Sequence, residues 1–199
     1  MLKRALDIIL GLVVLIFSSP ILTLVAIAIR LESKGPVFFV QERIGKNGVN
    51  FSVYKFRSMV ENAENMGTGL FSYADDPRVT KVGNFIRRTS LDELPQIFNV
   101  LKGNMSLVGP RPIVTYEYGD YADFGPVLRK RFTVKPGITG LAQTTGRNEN
   151  TWERKVELDN QYVDRLKKYG IWEDIKILIK TIFVVMSMKN TIEEKNEDG

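Results

Sequence analysis

The pattern of apolar and polar positions divides the 199-residue chain into one long apolar run, one alternating stretch and several segments with helical spacing. From Ile8 to Ile29 no residue is charged, a run of 22, long enough to cross a bilayer. A cleaved signal is disfavoured, because Arg30, Leu31 and Glu32 follow the run where small residues would be needed. Ser18-Ser19-Pro20 falls near its middle. Pro20 removes a backbone donor and crowds the preceding turn, so it kinks a helix there; neighbouring hydroxyls can satisfy carbonyls freed inside lipid. Basic residues flank both ends, Lys3 and Arg4 before, Arg30 and Lys34 after. A spanning helix sets one pair against the positive-inside rule. A helix that enters, bends at Ser19-Pro20 and leaves by the same face satisfies both pairs. The residue pattern alone leaves the kinked span and the hairpin open.

Beyond the Gly35-Pro36 break, Val37 to Met59 reads as a β-hairpin. Val37–Val40 and Phe51–Phe56 are strand-like, and Lys46-Asn47-Gly48 supplies the turn. Glu61 to Gly83 is a polar loop, partly helical, with a turn at Asp76-Pro77. Asn84 to Lys102 has one helical pattern, carried by Ile86, Leu91, Leu94, Ile97, Phe98 and Leu101, and Gly103 is a plausible stop. Gly109-Pro110-Arg111-Pro112 and Lys135 to Gly140 read as loops. A short helix between Tyr116 and Phe132 is interrupted near Gly125-Pro126, and Thr151 to Tyr169 is a polar helix. Trp172 to Met188 is amphipathic: Trp172, Ile175, Leu178, Ile179, Ile182, Phe183 and Met186 share a stripe opposite Glu173, Asp174, Lys176 and Lys180. That stripe faces either the core or a membrane surface. A charged tail follows Lys189. The division expected is an anchor over 1–34, a catalytic domain over 35–190 and the tail over 191–199.

Composition narrows the chemistry. The net charge of +5 suits an anionic partner without choosing among phosphorylated substrate, acidic lipid and nucleic acid. The chain has no Cys and no His. Disulfides, thiolate nucleophiles and Cys-based zinc sites are excluded. A general base must be a carboxylate, Lys or Tyr, and a metal must sit on oxygen, as Mg²⁺ does.

The densest cluster is Arg87-Arg88-Thr89-Ser90-Leu91-Asp92-Glu93-Leu94-Pro95-Gln96. Pro95 belongs in a first turn, which puts Asp92 and Glu93 near a helix start, where free amides favour negative charge and phosphate. Ser90-x-x-Glu93 also matches a capping box, a purely structural use of the same residues. Arg111 lies between two prolines, so its phosphate-matching fork is stiffly held. An arginine-rich entry, an acid pair and a locked arginine suit phosphoryl transfer, which needs charge clamps, a metal and a nucleophile; an aspartate nucleophile is the natural candidate. Lys55, Arg57, Arg129, Lys130 and Arg131 give basic character, but no nucleic-acid motif accompanies them and an anchor in lipid argues against that partner.

Three stretches carry a resemblance: Thr89 to Gln96, Leu101 to Pro112 (LKGNMSLVGPRP) and Lys135 to Gln143 (KPGITGLAQ). Together they resemble the bacterial sugar transferases, and more narrowly the small monotopic phosphoglycosyl transferases that initiate glycoconjugate assembly. The resemblance runs from Ser19-Pro20 to beyond Gly146-Arg147-Asn148. The elements read above make an α+β fold, mostly helical with a small β-hairpin and amphipathic interfacial helices, and the resemblance implies a re-entrant membrane helix bent at Ser19-Pro20. It further implies that Asp92 is the covalent nucleophile and a metal ligand, that Glu93 completes the dyad, and that Arg87 and Arg111 contact phosphate. Arg147 is expected to join them. Mg²⁺ is the implied cofactor, a UDP-sugar the donor, polyprenyl phosphate the acceptor and UMP the released product, on the cytoplasmic face of the bacterial inner membrane. Longer relatives carry further N-terminal membrane helices and a nucleotide-binding-like domain, so this chain resembles the catalytic unit alone. Two rivals remain: direct transfer without a covalent species, and a non-catalytic membrane module that binds an anionic ligand or a partner enzyme. No residue separates an N-acetylhexosamine donor from a neutral hexose.

Overall fold

In the computed structural model, which describes residues 1–67, 69, 73, 76–115, 119–146 and 150–187, the first element is a helix, α1 (Leu2–Glu32), that continues through Pro20. Arg147, the charged tail and parts of the 61–83 loop lie outside the described residues. Pro20 leaves the carbonyl of Ile16, four residues back, without its helical donor. The Ser19 hydroxyl donates to that carbonyl at 2.8 Å, and Thr23 donates in turn to Ser19 O at 2.9 Å. The Ser-Pro pair therefore repairs the hydrogen bond that its own proline removes. Asp7, Gly11, Val25 and Ile29 are the buried positions of α1, and their spacing puts them on one face. Ile9, Leu12, Ile16, Phe17, Ile21, Leu24 and Ile27 are exposed.

The hairpin forms as the alternation predicts, with a longer first strand. Strand β1 (Phe38–Ile44) pairs antiparallel with β2 (Asn50–Phe56), Phe38 opposite Phe56 and Ile44 opposite Asn50. The turn Lys46–Gly48 puts Asn47 and Gly48 at positive φ. Arg57 is buried at the strand exit, where it donates to Ser33 O at 2.9 Å and to Lys34 O, closing the corner after α1.

The expected single helix over 84–102 is broken. It consists of α2 (Lys81–Arg88), a 3-10 helix (Leu91–Gln96) and α3 (Ile97–Lys102), with Gly103 in the left-handed conformation as the stop. Ser90 turns the chain at φ 58° and makes no side-chain cap bond, so the capping box does not form. Asn99 explains why the break is tolerated. Its side chain donates to Ser52 O at 2.7 Å and accepts from Tyr54 N at 3.1 Å, pairing with the edge of β2 as a neighbouring strand would. The 3-10 segment thereby lies across β2.

The segment over 135–140, expected as a loop, contains β4 (Gly137–Thr139), which pairs in parallel with β3 (Ser106–Val108), a stretch the sequence left unassigned. The backbones approach so closely that a Cβ on Gly109 would lie 2.4 Å from Lys135 O and one on Gly137 2.0 Å from Gly109 N. Between these strands, α4 (Pro126–Lys130) starts at Pro126. The proline begins a helix there, its missing N–H being one that a first turn leaves unpaired in any case.

Helices α5 (Trp152–Tyr169), capped by Thr151 Oγ1, and α6 (Ile171–Met186) close the chain. Asp174, Ile177, Leu178 and Thr181 face inward on α6, and Glu173 is buried too. Trp172, Ile179, Ile182, Phe183 and Met186 are exposed, the last by 75%. Most of the apolar stripe thus lies outside the core, with Leu178 the stripe residue that packs against it. The main core joins Phe51, Val53, Ile97, Val100, Met105, Leu107, Val108, Leu158, Tyr162 and Ile177, and each such side chain contributes about 1.5–3 kcal/mol by leaving water. A second cluster, Val25, Ile29, Phe56 and Ile86, fastens α1 to α2 and the hairpin.

Candidate active site

The stretch from Lys81 to Lys102 is held at both ends by α1. At its start, Glu32 Oε1 and Oε2 accept from the amides of Lys81 and Val82 at 2.8–3.2 Å. At its end, Arg4 donates to the carbonyls of Val100 and Leu101 at 2.5 and 2.8 Å. A carboxylate on free helix amides and a cation on free helix carbonyls both match the helix dipole. Asp92 and Glu93 sit in the 3-10 helix between these clamps.

The two adjacent acids have different surroundings. Glu93 is fully engaged: Arg111 donates Nη2 to Oε1 at 2.7 Å and Nη1 to Oε2 at 3.3 Å, and Lys55 Nζ lies 2.9 Å from Oε1. Burial would raise the Glu93 carboxyl, but the Arg111 and Lys55 charges and their hydrogen bonds hold it well below the usual carboxylate range. Asp92 makes no direct ion pair among the described residues. Burial and then the Glu93 charge push its carboxyl up to about 6, against the pull of Lys55, Arg111 and Arg87. Environments that drive neighbouring acids apart are how sites divide roles between chemically similar groups.

The structure brings Asp92, Glu93 and Arg111 together, with Arg87 in the last turn of α2 near enough to act on Asp92. The Arg111 fork rests on Glu93. Behind it, the buried Arg131 donates Nη2 to Arg111 O at 2.7 Å and pairs with the buried Asp159 at 2.7 Å, fixing the loop's backbone. Burial raises Asp159 to about 6 despite that pair. Arg57 and Arg131, read from sequence as general basic character, are buried structural groups.

Lys55 is the site residue that sequence reasoning missed. Burial, opposed by Glu93, lowers its pKa from the ordinary lysine value. A signal existed: Phe51 and Val53 are buried positions of β2, and Lys55 is next on the same face. A lysine continuing an inward-facing row needs an acid, and Glu93 is that acid. Among the described residues no three acids gather as a metal cage. Asp92 is the site's one carboxylate not committed to a cation.

Comparison with known proteins identifies the family. The chain is 46% identical over 188 residues to the UDP-glucose:undecaprenyl-phosphate glucose-1-phosphate transferase of Escherichia coli K12, covering 92% of this chain and 40% of that protein. It is 46% identical over 195 residues to the galactosyl transferase CpsE of Streptococcus agalactiae, covering 92% and 42%. It is 40% identical over 188 residues to the UDP-N-acetylgalactosamine-undecaprenyl-phosphate N-acetylgalactosaminephosphotransferase of Aeromonas hydrophila, covering 93% and 44%. The chain thus spans about two fifths of the length of these relatives. The family profile described as bacterial sugar transferase matches residues 1–188, and the chain belongs to that family.

Proposed function

We propose that the chain transfers a sugar 1-phosphate from a UDP-sugar to undecaprenyl phosphate, with Asp92 as a covalent nucleophile. The observation that carries this reading is the division of the dyad: Glu93 is spent on Arg111 and Lys55, while Asp92 is uncommitted and raised to about 6. At neutral pH Asp92 is mostly ionised, and its raised pKa makes it the stronger nucleophile of the two. Its oxygen attacks the β-phosphorus, the bond from that phosphorus to the bridging oxygen breaks, and UMP leaves with the electron pair. An oxygen of undecaprenyl phosphate then attacks the phosphorus on Asp92. That bond breaks, Asp92 is regenerated, and undecaprenyl-diphospho-sugar is formed. Glu93 is held too acidic to take a proton in the second step, so its role is to fix Arg111 and Lys55 beside the reacting phosphates. Arg87, which makes no side-chain ion pair among the described residues, supplies a further phosphate contact; Arg147 is proposed for the same role on the resemblance alone. Mg²⁺ fits the donor set, one open carboxylate with the substrate's phosphate oxygens; Asp92 would hold it, and it would neutralise charge on the transferring phosphoryl group.

The anchor is re-entrant in this reading. Both ends of α1 are bonded to one polar stretch, through Arg4 and Glu32. A bilayer that excludes that stretch keeps both ends on one side. The exposed stripe of α6 lies against the same surface, and the start of α6 is joined to the start of α1 by the Lys3–Asp174 pair at 2.7 Å. Nucleotide sugars are made in the cytoplasm, which assigns the domain to the cytoplasmic face of the inner membrane.

Two experiments test the reading. Purified protein given a panel of sugar-labelled UDP-sugars and Mg²⁺, without lipid, should acquire acid-stable label and release an equal amount of UMP. Undecaprenyl phosphate should then discharge the label. Excess chelator should abolish both steps; UMP release that always awaits the lipid would replace the covalent mechanism with direct transfer. For topology, Leu2→Cys in this cysteine-free chain should resist an impermeant thiol reagent in cells with an intact inner membrane. Labelling there would mean a spanning helix.

A further inference from the structure

We propose that Arg4 and Lys135 form a site for the phosphate headgroup of an anionic bilayer lipid, at the N-terminal end of α1 and separate from the dyad. The inference rests on the membrane reading of α1 given above. Both cations converge on Gly103, the left-handed stop of α3. A Cβ there would lie 3.4 Å from Arg4 Nη2 and 3.6 Å from Lys135 Nζ. The two nitrogens are therefore no more than about 7 Å apart, well inside a Debye length.

One of these charges has a structural use and the other does not. Arg4 caps the α3 carbonyls of Val100 and Leu101, with N–H donors to spare on a five-donor group. Lys135 makes no hydrogen bond or ion pair among the described residues, and burial followed by the Arg4 charge lowers its pKa from the ordinary lysine value. Lys46 and Lys3 add further positive charge around it. Asp7 is the acid of this neighbourhood, and its Oδ1 is already taken by Ser106 Oγ and Leu107 N, both at 2.9 Å. Lys135 is anchored at its base. Its backbone is fixed against Gly109, and the next carbonyl, Pro136 O, accepts from Ser106 N at 2.8 Å. A crowded cation pair, whose neighbouring acid is already engaged by Ser106 and Leu107, is complementary to an anion.

Position identifies the anion's source. Arg4 precedes Ile8, an exposed apolar residue of α1, by four residues, about 6 Å of helix. With the exposed face of the helix in hydrocarbon from there on, the pair lies in the headgroup layer, where each Lys or Arg near an anionic surface strengthens binding about fivefold. The dyad is elsewhere: Asp92 opens the 3-10 and α3 stretch that Lys102 and Gly103 close.

The test uses the purified full chain in neutral detergent, titrated with dioleoyl phosphatidylglycerol or dioleoyl phosphatidylcholine while Tm is followed. Phosphatidylglycerol should raise Tm more than phosphatidylcholine. Lys135→Gln should move the phosphatidylglycerol midpoint about fivefold upward and leave the lipid-free Tm equal or higher, since it relieves like-charge crowding. Lys135→Arg should keep the wild-type response even if the glutamine variant folds poorly. Lys102→Gln, which removes a lysine bonded to Tyr54 at 3.0 Å, should also keep it. A wild-type midpoint in Lys135→Gln overturns the site. Equal responses to both lipids overturn the headgroup assignment but leave the membrane reading standing. A chain that needs no detergent and responds to neither lipid overturns both. The full rise from inorganic phosphate alone would make this a free-phosphate site and overturn the lipid.

Discussion

Two clusters that join acids to cations, the knot behind β3 and the dyad, differ in whether both acid oxygens are held by a partner. In the knot behind β3, Asp174 is fully buried; its Oδ1 accepts from Tyr162 at 2.8 Å and its Oδ2 from Lys3 at 2.7 Å. Lys3 also reaches Val108 O at 3.1 Å. Both Asp174 oxygens are matched, and the knot ties α1, β3, α5 and α6 together. In the dyad Glu93 is matched in the same manner, while Asp92 is left charged, unpaired and beside a like charge. Satisfied acids hold structure. Burial disfavours the charge of Asp174 and Asp159 as well; Asp92 differs in that no cation holds it directly, so its oxygens stay open to a phosphorus or a metal.

The comparison breaks most sharply on Asp92→Asn. Transfer should fall by on the order of 10³-fold or more, because the nucleophile is removed. Stability should move the other way. The folded pKa of Asp92 lies above its unfolded value, so its contribution to stability is fully present below about pH 4 and is lost as pH rises through about 6. At pH 7 the charge is therefore a cost, and the asparagine variant should melt at or above the wild-type temperature. A variant that both unfolds and keeps turnover would reverse the roles of the two clusters.

Arg111→Lys should come next, with a loss on the order of 10²-fold in kcat/KM, since a point charge cannot copy a two-toothed grip on Glu93 and phosphate. A loss of only a few-fold would make Arg111 a loop residue.

Glu93→Gln sharpens the comparison through pH. The acid limb of kcat/KM should follow the Asp92 carboxyl near 6 in the wild type. Removing the Glu93 charge takes away an influence that raises Asp92 and leaves Lys55 and Arg111 to lower it, so the limb should move to lower pH. A limb that stays in place would detach it from Asp92.

The smallest effect on chemistry and the clearest on stability should come from Asp174→Ala in the knot. It strands Tyr162 and Lys3, and Lys3 is a quarter exposed. The expected cost is about 2 kcal/mol, or roughly 4–8 °C in Tm, read by thermal melting. Turnover per folded molecule should change far less than in Asp92→Asn.

Much of the architecture was legible in the sequence because it follows from local periodicity. The apolar run is α1, the alternation with Asn47-Gly48 is the hairpin, the polar helix from Thr151 to Tyr169 is α5, and Gly103 ends α3. The three motif stretches were enough to name the family and single out Asp92, Glu93 and Arg111. Tertiary structure decided three other matters, each depending on a partner distant in the chain. Leu91, Leu94, Ile97 and Leu101 keep helical spacing, yet the chain turns left-handed at Ser90, where Asn99 and β2 set the path of the 3-10 segment. The pattern of α6 marks two faces, but which face turns inward depended on Lys3 and Tyr162 reaching Asp174. Lys55 was one basic residue among several until the hairpin register set it on Glu93. Periodicity records the faces of an element, because neighbours one turn or two residues apart share them. The partner of a charge, and therefore which of two adjacent carboxylates stays open for chemistry, is fixed only when segments far apart in sequence meet.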